Sequence, residues 1–145
     1  TAFAMQTLHG NPVAVAAALA VLRTIDDEGL TASAATTGAY LLGQLQALKQ
    51  RHPIIADVRG RGLAIGIELN HSIAQRAAAQ TVYRAWELGL VVYYVGVNSN
   101  VLELTPALNF SIANADAAVE ILDQALSDVS AGRFDQAKLD GFAGW

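Results

Sequence analysis

The order of segments predicts an α+β fold: a small, mostly antiparallel sheet with helices packed on one side. Three observations carry this. Residues 12–28 and 31–51 repeat apolar side chains at helical spacing, residues 63–69 alternate with the period of a strand, and "LVVYYV" is joined to "VLEL" by "GVNSN", the pattern of a hairpin.

The elements follow in chain order. Asn11 and Pro12 open the first helix, an N-cap followed by a proline at the first helical position, and Gly29 stops it after Glu28. Its alanines (Ala14, Ala16, Ala17, Ala18, Ala20) cover more than one face, so neighbours are expected to approach it closely on several sides. Thr31 or Ser33 is the expected cap of a second helix, with Leu41, Leu42, Leu45 and Leu48 as its apolar stripe and an end near Arg51 or His52, ahead of Pro53. Gly60 and Gly62 mark a turn or bulge before the strand in which Leu63, Ile65, Ile67 and Leu69 alternate with Ala64, Gly66 and Glu68. A third helix is predicted over Ser72–Leu88, carrying Ile73, Ala77, Val82 and Trp86 and closed by Gly89. The hairpin of residues 90–95 and 101–104 is broken by Thr105 and Pro106. Asn114 is the expected cap of a last helix with Val119, Leu122, Leu126 and Val129 on one face. Periodicity weakens from Gly132 to Trp145, although the closing "FAGW" brings two aromatics that favour docking.

Composition excludes several function classes. The 145 residues suffice for one domain with a real core, and 53% are apolar while only 15% are charged. That surplus of apolar surface is expected to be covered by another protein surface, as in a domain cut from something larger. Arg23, Asp26 and Arg51 interrupt every run that approaches a membrane span. A net charge of −4 argues against nucleic acid, which calls for clustered Lys and Arg. With no cysteine there are no disulfides and no thiolate chemistry. The first residues lack a signal-peptide pattern, and a cytoplasmic location is expected.

Material for catalysis is scarce. Lys49 lies on the polar side of the second helix and Lys138 in the tail, and neither has the apolar setting that would make it a nucleophile. His9, His52 and His71 sit in separate loops or helix ends without metal-ligand spacing, so they read as surface or capping residues and no metal is expected. Asp57 beside Arg59 and Arg61 reads as an ion pair across a turn. "GRGLAIG" leads into a strand, whereas a dinucleotide fingerprint opens a helix. There remain residues 7–12, "TLHGNP": a threonine hydroxyl and loop N–H groups at a helix start suit a phosphate, and suit an ordinary capped loop as well.

"TLHGNPVAVAAALAVLRTIDDEGL", "DVRGRGLAIGIEL" and "VLELTPAL" resemble, in this order, three segments of the class III (fold-type I) pyridoxal-phosphate enzymes. "FAMQTLHGNP", "RHPIIADVRGRGLA", "YRAWELGLVVYYVGVNSNVLELTPAL" and "FAGW" are most similar to the racemases of amino acid amides and lactams within that class. The resemblance implies the carboxy-terminal part of a longer enzyme. Residues 1–30 would be a phosphate-contact loop and long interdomain helix, and residues 31–145 the C-terminal small domain. The large domain that binds pyridoxal 5'-phosphate, with its Schiff-base lysine, would lie upstream. No catalytic residue is then expected in this chain, and the chain alone is expected to be inactive. Thr7 would bind the coenzyme phosphate across a homodimer. The partners implied are the chain's own large domain, a second subunit, and a small amino amide, lactam or amine substrate. The reaction implied is racemisation through an aldimine and loss of the Cα proton.

Glu103 bears on the substrate. Many class III aminotransferases carry at this place an arginine that clamps the substrate carboxylate; a glutamate offers no such fork and suits a neutral amide or lactam. On a hairpin strand it also suits simple solvent exposure. Ala107 replaces the second proline of the family's "PPL". The alternative activity is that of a class III aminotransferase acting on an amine donor and a keto acid. An alternative of another kind is a non-catalytic α+β interaction module.

Overall fold

The computed structural model describes residues 10–70 and 76–142. In α1 (Pro12–Asp27) the Asn11 side-chain oxygen accepts from the N–H groups of Val13 at 3.0 Å and Ala14 at 3.2 Å, and Pro12 takes the first helical position. Gly29, at φ 61°, turns the chain directly into α2 (Leu30–Arg51). It holds the N-cap position expected of Thr31 or Ser33: a turn this tight needs a left-handed residue, and both threonine and serine are drawn into the helix. Leu41, Leu45 and Leu48 are wholly buried, with Leu42 at their margin, and the helix ends at Arg51 as expected.

β1 (Ile55–Arg61) is a strand that the alternation does not announce. Only Ile55 and Val58 are buried, a bulge between Ile55 and Asp57 breaks the period, and its outer half is charged. Of the two glycines expected to mark a turn, Gly60 lies inside β1, paired with Ile65. Gly62, at φ 56°, makes the turn with Leu63, the first position of a two-residue hairpin where a positive φ is required. β2 (Ala64–Leu69) then buries Ile65, Ile67 and Leu69 as its alternation predicts, with Leu63 buried just ahead of it.

α3 (Ala77–Glu87) begins after Arg76, and the expected start from Ser72, with Ile73, falls outside the described residues. Ala77, Ala78, Thr81, Val82 and Ala85 face the core at helical spacing. Trp86 lies off that face and is half exposed, contrary to expectation; Tyr83 is buried beside it, the ring centres 5.8 Å apart. The strand expected over 90–95 shortens to β3 (Tyr93–Val95), because the closing turn of α3 captures the Leu90 N–H on the Ala85 carbonyl at 2.8 Å. β4 (Val101–Leu104) completes the hairpin. α4 (Ile112–Ser130) is capped by Ser111, whose hydroxyl accepts from the Asn114 N–H at 3.1 Å; Asn114 is the donor rather than the expected cap. Val119, Leu122, Leu126 and Val129 are buried together. α5 (Gln136–Phe142) follows, burying Leu139 completely.

The sheet is wholly antiparallel, in the order β1-β2-β4-β3. α2 and α3 pack against the sheet, α4 packs on both of these helices, and the core lies between them. The predicted α+β layer is therefore the observed one. A buried carboxylate ties two helices: Asp128 accepts from Arg84 Nε on α3 at 2.7 Å, from Arg133 at 2.9 and 3.0 Å, and from Gln124 at 2.8 Å. Burial pushes its carboxyl upward, but these hydrogen bonds outweigh it and hold the group below the ordinary carboxylate range. α1 contrasts with all this. None of its residues is buried, and Val13, Val15, Leu19, Val21 and Leu22 are exposed.

Candidate functional site

Among the described residues the sheet has one face without helices, and its register assembles that face in rows. Arg59, Gly66, Glu103 and Tyr93 are cross-strand neighbours on β1, β2, β4 and β3, and so share one side. Glu103 therefore stands exposed between a glycine with no side chain and a tyrosine that is 69% exposed. Among the described residues it has no ion-pair partner. Arg59 is committed elsewhere: its guanidinium donates to Asp57 at 3.0 Å and Glu68 at 2.7 Å, which raises its already high pKa. The hydrogen bond from Arg59 holds the Asp57 carboxyl below its usual range. The ion pair expected across a turn forms instead along one strand, between Asp57 and Arg59 within β1, and Arg61 takes no part in it.

A groove opens at one end of the sheet, where α2 meets the β1–β2 turn. It has a volume of about 610 Å³ and lies between the first turns of α2, the β1–β2 turn and the segment after β4. Thr31, Ala34 and Ala35 form one side, Arg61 to Ala64 the other, and Thr105, Pro106 and Leu108 the end. The walls are held together by an unusually close contact. A Cβ on Gly38 would lie 2.2 Å from the Gly62 carbonyl carbon and oxygen, so two glycines let helix and turn touch backbone to backbone.

The remaining candidates separate. Thr7, the predicted phosphate contact, lies outside the described residues, as do His9 and His71; Gly10 and the capped start of α1 follow Thr7 in the chain. His52 is the C-cap of α2, its N–H donating to the Leu48 carbonyl, so the capping role the sequence suggests is met but the surface position is not. It is buried, and its Nε2 meets Asp123 Oδ1 on α4, while Arg51 reaches the other carboxylate oxygen at 3.0 Å. Lys49 sits 3.8 Å from Asp57 and Lys138 3.9 Å from Asp135, both in partly exposed pairs. Neither is enclosed by apolar groups, so the described residues do not build a pyridoxal-phosphate site. No group of three or more His, Asp or Glu among them is placed to hold a metal, and none of their helices is long and apolar enough to cross a membrane.

Residues 4–126 match the family model described as aminotransferase class-III. The chain belongs to that family. Among class-III relatives, the leucine/methionine racemase of Thermococcus litoralis is 38% identical over 144 residues, covering 96% of this chain and 32% of that protein. The alanine–glyoxylate aminotransferase 2 homolog 2 of Arabidopsis thaliana is 41% identical over 126 residues, covering 83% of this chain and 26% of its own length. The chain thus spans about a third or less of these class-III proteins, which include both racemases and aminotransferases. An amine transaminase from an uncultivated Pseudomonas species, solved with pyridoxal phosphate bound, superposes with a TM-score of 0.77 at 32% identity, over 86% of this chain and 29% of that one. A Bacillus anthracis aminotransferase gives 0.78 at 32% identity, over 86% and 30%.

Proposed function

We propose that these residues are the C-terminal small domain of a homodimeric, pyridoxal-phosphate-dependent racemase of amino acid amides or lactams, similar to α-amino-ε-caprolactam racemase. In this reading residues 1–30 form the phosphate-contact loop and interdomain helix, residues 31–145 the small domain, and the coenzyme is held by a large domain outside this chain. The coenzyme supplies the electron sink that makes the substrate Cα proton acidic. This chain supplies binding and selection. Thr7 would donate its hydroxyl to the coenzyme phosphate of the other subunit. Glu103 would accept an N–H of a neutral amide and repel a substrate carboxylate, since it offers no guanidinium fork.

The observation that carries the reading is Glu103 itself, exposed on the bare face of the sheet, in the place where the family resemblance puts an arginine. The racemase relatives, matched over nearly all of this chain, support it. The test uses the intact protein that contains this chain, loaded with coenzyme. Loss of optical activity from one enantiomer of α-amino-ε-caprolactam, with no keto acid consumed, is expected. Amino-group transfer to a keto acid with no racemisation would reject the reading in favour of the aminotransferase, which the 41% identity to a plant aminotransferase supports. Replacing Glu103→Arg is expected to shift preference toward substrates bearing an α-carboxylate.

A further inference from the structure

We propose that the groove between α2 and the β1–β2 turn binds a small aliphatic monocarboxylate, its head on Arg61 and its chain over the apolar floor. Glu103 is not part of its lining, and the proposal does not depend on which reaction the intact enzyme performs.

Three features of the groove select this ligand. Its charge is single and positive: Arg61 is the only charged side chain of the lining, and among the described residues it has no ion-pair partner, whereas Arg59 next to it on the same strand is doubly paired. A guanidinium offers two parallel N–H donors, the spacing of a carboxylate. The rest of the lining is apolar, from Ala34, Ala35, Leu63, Ala64, Pro106 and Leu108, with only the Thr31 and Thr105 hydroxyls added. A phosphate would leave most of its oxygens facing that apolar surface, and an amine would meet the wrong charge. The size also fits: about 610 Å³ is within the range of ordinary small-molecule sites. The Gly38–Gly62 contact fixes the two walls, so the groove needs no rearrangement before a ligand enters.

The test is calorimetric titration of the intact holoprotein with 4-methylpentanoate, and with 4-methylpentanamide as its neutral counterpart. Saturable binding of the acid is expected, weakened about tenfold or more by Arg61→Gln, with the amide equally weak toward both proteins. Ala35→Phe, which fills the groove from the exposed side of α2, is expected to abolish binding with the unfolding midpoint unchanged. No saturable binding to the natural protein overturns the proposal. So does an acid affinity unchanged by Arg61→Gln, which would place the carboxylate at some other cation. Should Arg61→Gln fail to fold by circular dichroism, Ala35→Phe decides, and undiminished binding there is equally fatal.

Discussion

Replacing Gly38→Ala sets two well-known effects against each other. Alanine is the better helix former by about 1 kcal/mol in a helix interior, and on that ground alone the change stabilises α2. Space argues the other way. The new methyl would lie 2.2 Å from the Gly62 carbonyl carbon and oxygen and 2.7 Å from its Cα, all of them backbone atoms. Relief requires the turn to retreat from the helix by more than an ångström. That retreat loosens Leu63 and Ile65 in the core, and overpacking of this kind costs about 1–3 kcal/mol. The clash outweighs the propensity gain, and a net loss of up to about 2 kcal/mol is expected. Gly43 supplies the control on the same helix. A Cβ there meets nothing within 4 Å, so Gly43→Ala is expected to stabilise by up to about 1 kcal/mol. Equilibrium urea unfolding of the two variants, compared at equal m-values, makes the measurement. Opposite shifts in midpoint are expected. If both variants stabilise by the same amount, the backbone contact between α2 and the turn is not the constraint described, and the rigid wall of the groove goes with it.

Asp128→Asn leaves Arg84 and the largely exposed Arg133 facing a neutral amide, and a loss of about 1.5–3 kcal/mol is expected from chemical unfolding. The natural carboxyl is held below its ordinary value near 3.8, so its contribution is full above that pH and is lost as pH falls through the lower, folded-state value. The variant should therefore show a flatter decline of stability on the acid side, and an identical acid profile would contradict the assignment. In the intact enzyme Thr7→Val is expected to weaken coenzyme retention about tenfold, read by dialysis and visible absorbance, with the melting point of the coenzyme-free protein unchanged. Equal effects on both would mark a structural threonine. The 145-residue chain alone, supplied with pyridoxal phosphate, is expected to show no turnover of amides, lactams or amines, and measurable turnover would place a reactive lysine within it.

Local signals were legible where one face meets the core. The alternation of Leu63, Ile65, Ile67 and Leu69 and the stripe of Val119, Leu122, Leu126 and Val129 both fall where their periods put them, because each repeats one burial choice over several turns or pleats. β1 escaped because its bulge and charges dilute the period. The cap of α1 falls at Asn11 as expected, but that of α2 lies two residues before Thr31 and that of α4 three before Asn114, because several polar residues compete at a helix start and only the backbone path decides among them. Long-range polar pairs were invisible. His52 and Asp123 are separated by 71 positions, Arg84 and Asp128 by 44, and nothing local ties either pair together. Glu103 was reachable through family likeness alone. The groove was not, since it exists only once α2 lies across the β1–β2 turn.

The two rims of the sheet differ in kind. β1 offers Asp57, Arg59, Arg61 and a bulge to any approaching strand, which blocks further pairing there, while β3 ends the other side with Tyr93, Tyr94 and Val95 and no charge at all. Among the described residues, the β3 rim is therefore the one better suited to pairing with another copy. Two such sides meeting across a twofold axis would use each other up, giving an eight-stranded pair with a charged, bulged strand at both rims.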